Sequence, residues 1–268
     1  MTGVLSPEAN AGRVALVTGG GTGIGAAAAR ALAASGAAIV ICGRRPEPLE
    51  AVRAELEAGG AGCLAVPCDI REPAEVEALV GAALDRFERV DVLFNNAAGQ
   101  FEAQAEDVSP KGWRAVHRLT VDAAWELTHQ VATRSMIPRR GGLVVFNGFS
   151  PRRGIPGFAH ATAARAALEN LASGLAMEWS RYGIRSVCLA IGNIETEGLE
   201  GYGPESLEAS RRQVPLGRLG RPEEVGEVVA FLASDGGAYI TGTTIVIDGG
   251  VDAWGQGEPP PPPEPPPA

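Results

Sequence analysis

The residues best suited to chemistry come early, in Thr18-Gly19-Gly20-Gly21-Thr22-Gly23-Ile24-Gly25, where five of eight positions are glycine. An apolar run, Val14–Val17, precedes them, and an alanine-rich stretch, Ala26–Ala34, follows. Strand, glycine-rich turn and helix in that order gather backbone N–H groups and the positive end of a helix at one point, which suits a pyrophosphate. Gly19 permits the tight turn, Gly23 lets the backbone approach a ligand, and Gly25 lets the helix lie close to the strand. The pattern therefore predicts a dinucleotide site that takes in Thr18, Gly19, Gly21, Thr22, Gly23, Ile24 and Gly25. Metal chemistry has no comparable signal. Cys42, Cys63, Cys68 and Cys188 lack CxxC spacing and sit in or beside apolar runs, so they read as buried free thiols in a reducing cytoplasm rather than as a zinc site or disulfides.

Elements that could position such a site alternate along the chain. Apolar runs at Ala37–Cys42, Cys63–Pro67, Asp91–Phe94, Leu143–Phe146, Ile184–Ala190 and Thr244–Ile247 read as strands. Between them, helical spacing covers Glu47–Glu57, Pro73–Phe87, Trp113–Met136, Ala159–Trp179 and Pro222–Ala233. This alternation predicts an α/β fold: a Rossmann-type, doubly wound parallel sheet of about seven strands with helices on both faces. Residues 1–254 form one expected domain. The tail 255–268, GQGEPPPPPEPPPA, cannot bury a core and is expected to be an extended, disordered appendage or a polyproline-type ligand for another protein. The net charge of −9 argues against nucleic acid or an anionic membrane surface as partner. No apolar run is long enough to cross a bilayer, and the first residues show no signal peptide.

Several motifs together resemble the short-chain dehydrogenase/reductases over about residues 10–252. They are the turn Thr18–Gly25, Asp69, Asn95-Asn96-Ala97-Ala98-Gly99, Arg221-Pro222-Glu223-Glu224-Val225, and Ile240-Thr241-Gly242 leading to Asp248-Gly249-Gly250. Within that family, Asn96–Phe101, Lys111-Gly112-Trp113 and His160–Ala166 are most similar to the peroxisomal-type trans-2-enoyl-CoA reductases, then to the 2,4-dienoyl-CoA reductases. The resemblance assigns Asp69 to the adenine end and Asn96 and Ala97 to the adenosine ribose, and it adds Ile70 and Ile194 to the cofactor contacts. For Asp69, capping the helix after Pro73 is the alternative. NAD-selective members carry an acidic residue at the end of the second strand, where this chain has Gly43 followed by Arg44 and Arg45. Without that carboxylate a 2′-phosphate is not repelled, and a guanidinium binds it through paired donors. The expected cofactor is NADPH, with NADH less favoured; two solvated arginines are the alternative.

The family's tyrosine, lysine, serine and asparagine do not stand in their usual places. Alignment puts Arg165 in the lysine slot, Ala161 in the tyrosine slot, Gly148 near the serine slot with Ser150 close by, and Thr120 in the asparagine slot. Arg165 can donate to ribose hydroxyls but cannot relay a proton. Reduction of a ketone should suffer about 10²–10⁴-fold from the missing acid. An enoyl thioester suffers less, because hydride goes to carbon, charge develops on the thioester oxygen, and hydrogen-bond donors matter more than an acid. Ser150, Thr120 and Asn147 are candidate donors, and His160, beside the tyrosine slot, is a candidate acid. Arg152 and Arg153 could meet coenzyme A phosphates or remain a solvated pair. The segment Glu195–Arg212 is expected to cover the substrate. The resemblance thus implies a cytoplasmic, NADPH-dependent oxidoreductase of fatty acid metabolism that reduces an enoyl-CoA-type double bond. It further implies a homo-oligomer, or a hetero-oligomer with a related subunit. A catalytically silent nucleotide-binding subunit is the competing expectation.

Overall fold

In the computed structural model, residues 4–152, 154–201 and 203–254 are described. The chain opens with β1 (Val14–Thr18), α1 (Gly23–Ala34), β2 (Ala38–Gly43), α2 (Pro46–Ala58), β3 (Cys63–Pro67), α3 (Pro73–Phe87) and β4 (Val92–Asn95). A long helical rod follows as α4 (Pro110–His117), α5 (Ala123–Val131) and α6 (Ile137–Arg139), joined by π-helical turns at Arg118–Asp122 and Ala132–Met136. Then come β5 (Gly142–Asn147), α7 (Ala159–Trp179), β6 (Ile184–Ile191), α8 (Glu197–Glu200), α9 (Pro204–Arg212), α10 (Pro222–Ala233), β7 (Thr243–Ile247) and α11 (Val251–Trp254).

The seven strands form one parallel sheet in the order β3-β2-β1-β4-β5-β6-β7. Parallel strands buried on both faces need apolar side chains at odd and even positions, and the strands have them. Val14 and Leu16 of β1 join the core under α3, α5 and α7, whereas Ala15 and Val17 join the core under α1, α2 and α10. Alanines at 26–29 and Gly226 let α1 and α10 close tightly; a Cβ on Gly226 would stand 2.7 Å from the Ala27 carbonyl oxygen. The expected doubly wound sheet is the observed one. Among the described residues no helix is long and apolar enough to cross a membrane.

Most expected boundaries shift by a residue or so. The largest difference is the helix expected over Trp113–Met136. It starts at Pro110, where the Ser109 hydroxyl accepts the Gly112 amide, and it continues to Arg139. Its two wide turns each add a residue to the repeat, so no single 3.6-residue pattern describes the whole rod. The cover segment is built of α8 and α9. The tail 255–268 lies outside the described residues. At the far edge of the sheet, β7 pairs only with β6 among the described residues, and Val246 is 40% exposed.

Candidate active site

β2 and β4 flank β1, so the strand order reverses there and the loops leaving β1 and β4 open a crevice at the carboxyl ends of the strands. The two loops are stitched together. Thr18 Oγ1 accepts the amides of Asn96 (2.9 Å) and Ala97 (2.8 Å), and Asn96 Nδ2 donates back to the Thr18 carbonyl at 2.8 Å. Gly19 turns the chain with φ +65°, and a Cβ on Gly25 would run into the Gly19 carbonyl oxygen. Thr22 makes no side-chain cap on α1, and the first turn holds no acidic residue. The amides and positive dipole of that helix end are left for an anion, so the residues present fit a dinucleotide diphosphate.

Arg44 and Arg45 leave β2 exposed and without an ion pair among the described residues. Asp69, beyond β3, does not cap α3. Its carboxylate takes the Arg71 amide at 3.1 Å and the Arg71 guanidinium, which, with lesser help from Arg44, holds its pKa down at about 2. The Asp69 amide is instead claimed by Glu75 at 2.7 Å. Ile70 is buried in the core.

A cleft of about 1260 Å³ opens beside this edge, and Ile24, Asn96, Asn147, Ser150, Arg165 and Ile194 are among the residues on its wall. Arg165, on α7, is its most unusual group. One nitrogen, Nη1, donates to the carbonyls of Gly148 (2.7 Å) and Asn147 (3.2 Å) and to Asn147 Oδ1 (3.1 Å). The guanidinium carbon lies 5.2 Å from the centre of the Phe149 ring. No carboxylate pairs with Arg165 among the described residues, and burial lowers its pKa to about 10, which still leaves it charged at neutral pH. Asn147 Nδ2 in turn donates to Asn96 O (3.3 Å) and Oδ1 (3.2 Å). A continuous hydrogen-bonded line therefore runs from the nucleotide turn through Asn96 and Asn147 to Arg165.

The other expected catalytic residues fare differently. Ser150 lines the cleft, but its hydroxyl donates to Asp248 Oδ2, so it offers the cleft an acceptor rather than the expected donor. Thr120 sits in the first wide turn, 2% exposed, with its hydroxyl unpartnered and off the cleft wall. His160 is off the wall as well. Successive residues of a helix point about 100° apart, and His160 lines a separate cavity of about 380 Å³, stacked on Phe101 at 4.2 Å. Burial lowers its pKa, more than the neighbouring Phe101 carbonyl raises it. The expectations of Ser150 and Thr120 as donors at the substrate and of His160 as the substitute acid do not match this geometry.

The tyrosine slot is filled, not hollow. Ala161 is 1% exposed and packs with Ala164, Val116, Val121 and Phe158. The serine slot is closed too, since a Cβ on Gly148 would stand 2.7 Å from Cys188 Sγ and 2.9 Å from the Leu189 carbonyl oxygen. Lys111 is the chain's single lysine, so no other lysine can replace the missing one on α7. Arg152 is held by Glu169 (2.8 Å), and Arg153 lies outside the described residues.

Three wall residues escaped the sequence reading. Gln100 has a buried side-chain oxygen without a partner, an acceptor turned to no group of the protein. Thr196 caps α8 through the Leu199 amide (3.3 Å) beside Gly23; a threonine ahead of Glu197-Gly198 is a capping signal that could have found it. Arg212, at the end of α9, has no ion pair among the described residues, and nothing in its local sequence marks it.

Residues 19–252 match a family model described as enoyl-(acyl carrier protein) reductase. A probable 2,4-dienoyl-CoA reductase of Bacillus subtilis is 35% identical, covering 89% of this chain and 96% of that protein. The peroxisomal 2,4-dienoyl-CoA reductase of Danio rerio is 33% identical over 94% of this chain and 85% of its own length. Among solved structures, a citronellol catabolism dehydrogenase of Pseudomonas aeruginosa superposes with a TM-score of 0.84 at 34% identity, covering 94% of this chain and all of that one.

Proposed function

The chain belongs to the short-chain dehydrogenase/reductase family and is an oxidoreductase that depends on a nicotinamide dinucleotide; from that premise we propose that it uses NADPH to reduce a carbon–carbon double bond conjugated to a coenzyme A thioester. The observation that carries this reading is the buried guanidinium of Arg165, without a carboxylate partner among the described residues, on the wall of a cleft whose described lining holds no tyrosine. The cofactor supplies the hydride when bound.

The Thr18–Gly25 turn and the start of α1 hold the diphosphate. Asn96 and Ala97 take the adenosine ribose, Asp69 and Ile70 border the adenine, and Ile194 meets the nicotinamide side. Arg44 and Arg45, unpaired beside a strand end that lacks a carboxylate, grip the 2′-phosphate. The Ser150 hydroxyl donates its hydrogen bond to Asp248, and the Asn147 amide is engaged with Asn96. That leaves the remaining N–H groups of Arg165 as the charged donors joined to the nucleotide turn, able to reach ribose hydroxyls and the thioester oxygen as charge grows there. Water delivers the last proton to carbon, so no side chain has to serve as acid. Arg212 at the rim meets a coenzyme A phosphate.

The relatives named as 2,4-dienoyl-CoA reductases support the substrate class. Four buried free thiols support a reducing compartment such as the cytoplasm. Exposed Trp125 on α5 and Met177 on α7 support assembly into an oligomer through those helices.

The test mixes purified protein and NADPH with crotonyl-, decenoyl-, decadienoyl- and acetoacetyl-CoA and follows NADPH oxidation. Turnover of the unsaturated thioesters, with acetoacetyl-CoA about 10²-fold slower or more, is expected. Faster reduction of acetoacetyl-CoA would overturn the reading. NADPH binding with no turnover of any thioester would do so too, and would leave the silent subunit, a reading favoured by the closed tyrosine slot.

A further inference from the structure

α11 is a single helical turn, Val251–Trp254, closed by a bond from the Trp254 amide to the Gly250 carbonyl at 2.9 Å. A turn that short has no stability of its own in water, so it stands where the bonds at its root put it. The Asp248 carboxylate supplies them. Its Oδ1 accepts the Gly250 amide (2.8 Å), and its Oδ2 accepts the Asp252 amide (2.7 Å) and the Ser150 hydroxyl. Asp252 Oδ1 accepts the Arg152 amide at 2.8 Å, a second tie to the loop that leaves β5. On the other side, the Gly249 carbonyl accepts the Leu216 amide (3.2 Å), which joins the same turn to the chain leaving α9. The proposed reaction uses none of these bonds.

Held this way, α11 puts Val251 and Trp254 on the cleft wall with Phe149, Ile155, Phe158 and Leu199. None of these apolar side chains is fully buried, and Trp254 leaves 44% of its surface exposed. The strip they form starts next to the chemistry, because the Phe149 ring centre lies 5.2 Å from the Arg165 guanidinium carbon. Ser150 follows Phe149 and carries the strip to α11 through its bond to Asp248. Bare apolar surface leading away from a polar reaction centre takes a hydrocarbon chain, and each methylene covered tightens binding about fourfold. Because α11 is fixed beforehand, covering the indole orders little that was free.

Given the thioester reading of the cleft, on which this rests, we propose that Trp254 is the surface along which the acyl chain lies. It gives the protein a preference for chains longer than crotonyl, and Asp248 is the positioning residue that holds it there. Losing one acceptor oxygen of Asp248 loosens α11, and the indole no longer waits at the end of the strip.

Full-length protein with NADP+ present is titrated by calorimetry with butanoyl- and decanoyl-CoA, saturated thioesters whose binding is read without turnover. The wild type is expected to bind decanoyl-CoA tighter by about 50-fold or more. Trp254→Ala should shrink that ratio about tenfold, with the loss falling on decanoyl-CoA, while Trp254→Phe keeps most of it. Asp248→Asn, which retains one acceptor oxygen, should shrink the ratio too and should add nothing to the Trp254→Ala loss. A purely structural aspartate would instead weaken both thioesters alike, in either background. An unchanged ratio in Trp254→Ala would overturn the proposal, as would a wild type that binds neither thioester. Equal losses for both thioesters would overturn it as well, and would seat the pantetheine arm on the indole. Chain-length-dependent binding without reduction of any unsaturated thioester would support the acyl surface and overturn only the proposed reaction.

Discussion

Arg165 donates from one nitrogen to three acceptors, and none of the three carries a formal charge. A guanidinium buried without a carboxylate keeps its full field for whatever enters the cleft, at a cost in desolvation that a paired arginine would not carry. Arg165→Met is therefore expected to slow single-turnover NADPH oxidation by an enoyl thioester about 10²–10³-fold. Arg165→Lys should keep part of the rate, because an ammonium still donates. An unchanged rate in the methionine variant would remove Arg165 from the reaction. Arg44 makes a different claim, on affinity. Losing a charged contact to phosphate costs about 1.5–3 kcal/mol, so Arg44→Glu should weaken NADPH about 10–100-fold in a fluorescence titration while NADH binding holds. Equal losses for both nucleotides would mean that Arg44 supports the loop and not the 2′-phosphate.

At the scale of elements, α7 explains why the missing tyrosine cannot simply be put back. Ala161 faces α4 and the first wide turn in a small packed cluster with Val116, Val121 and Phe158. Ala161→Tyr should destabilise the fold by about 1–3 kcal/mol through overpacking, read as a lower urea midpoint, and should bring no gain in acetoacetyl-CoA reduction. A stable variant that gains ketone reduction would show that the slot still opens to the cleft. The start of α10 offers a pH-dependent counterpart. Glu224 accepts both the Arg218 guanidinium and the Arg221 amide, which together hold its pKa at about 2. A lowered folded-state pKa stabilises above the ordinary carboxylate range, and the contribution fades as pH falls from there toward 2. Glu224→Gln should therefore cost about 1 kcal/mol at neutral pH, with the two unfolding curves converging near the acid end. A gap constant across pH would assign the loss to packing. Strands and helix ends of this kind were legible from the sequence, because apolar runs and the glycine turn are local signals. The wide turns at Arg118–Asp122 and Ala132–Met136 were not, since nothing in their residues separates a π turn from an α turn. Thr120 and His160 lie off the cleft wall for a related reason: a slot in an alignment gives a position on the chain, and packing decides which way it faces.

The whole molecule is built on one parallel sheet whose carboxyl edge gathers four of the expected cofactor contacts: the turn after β1, Arg44 after β2, Asp69 after β3 and Asn96 after β4. That gathering could be read from strand–helix alternation alone, whereas the bond from Ser150 to Asp248 joins residues 98 apart in sequence and needed the fold. The opposite border of the sheet has a less sheltered existence. Among the described residues β7, running Thr-Thr-Ile-Val-Ile, has β6 on one side only, leaving a row of backbone donors and acceptors and a half-bare valine facing outward. Such a margin is a template for edge-to-edge stacking once solutions become crowded. Val246→Lys should keep the protein monodisperse in light scattering at concentrations where the wild type grows heavier, and an unaltered mass distribution would put the sticky surface elsewhere.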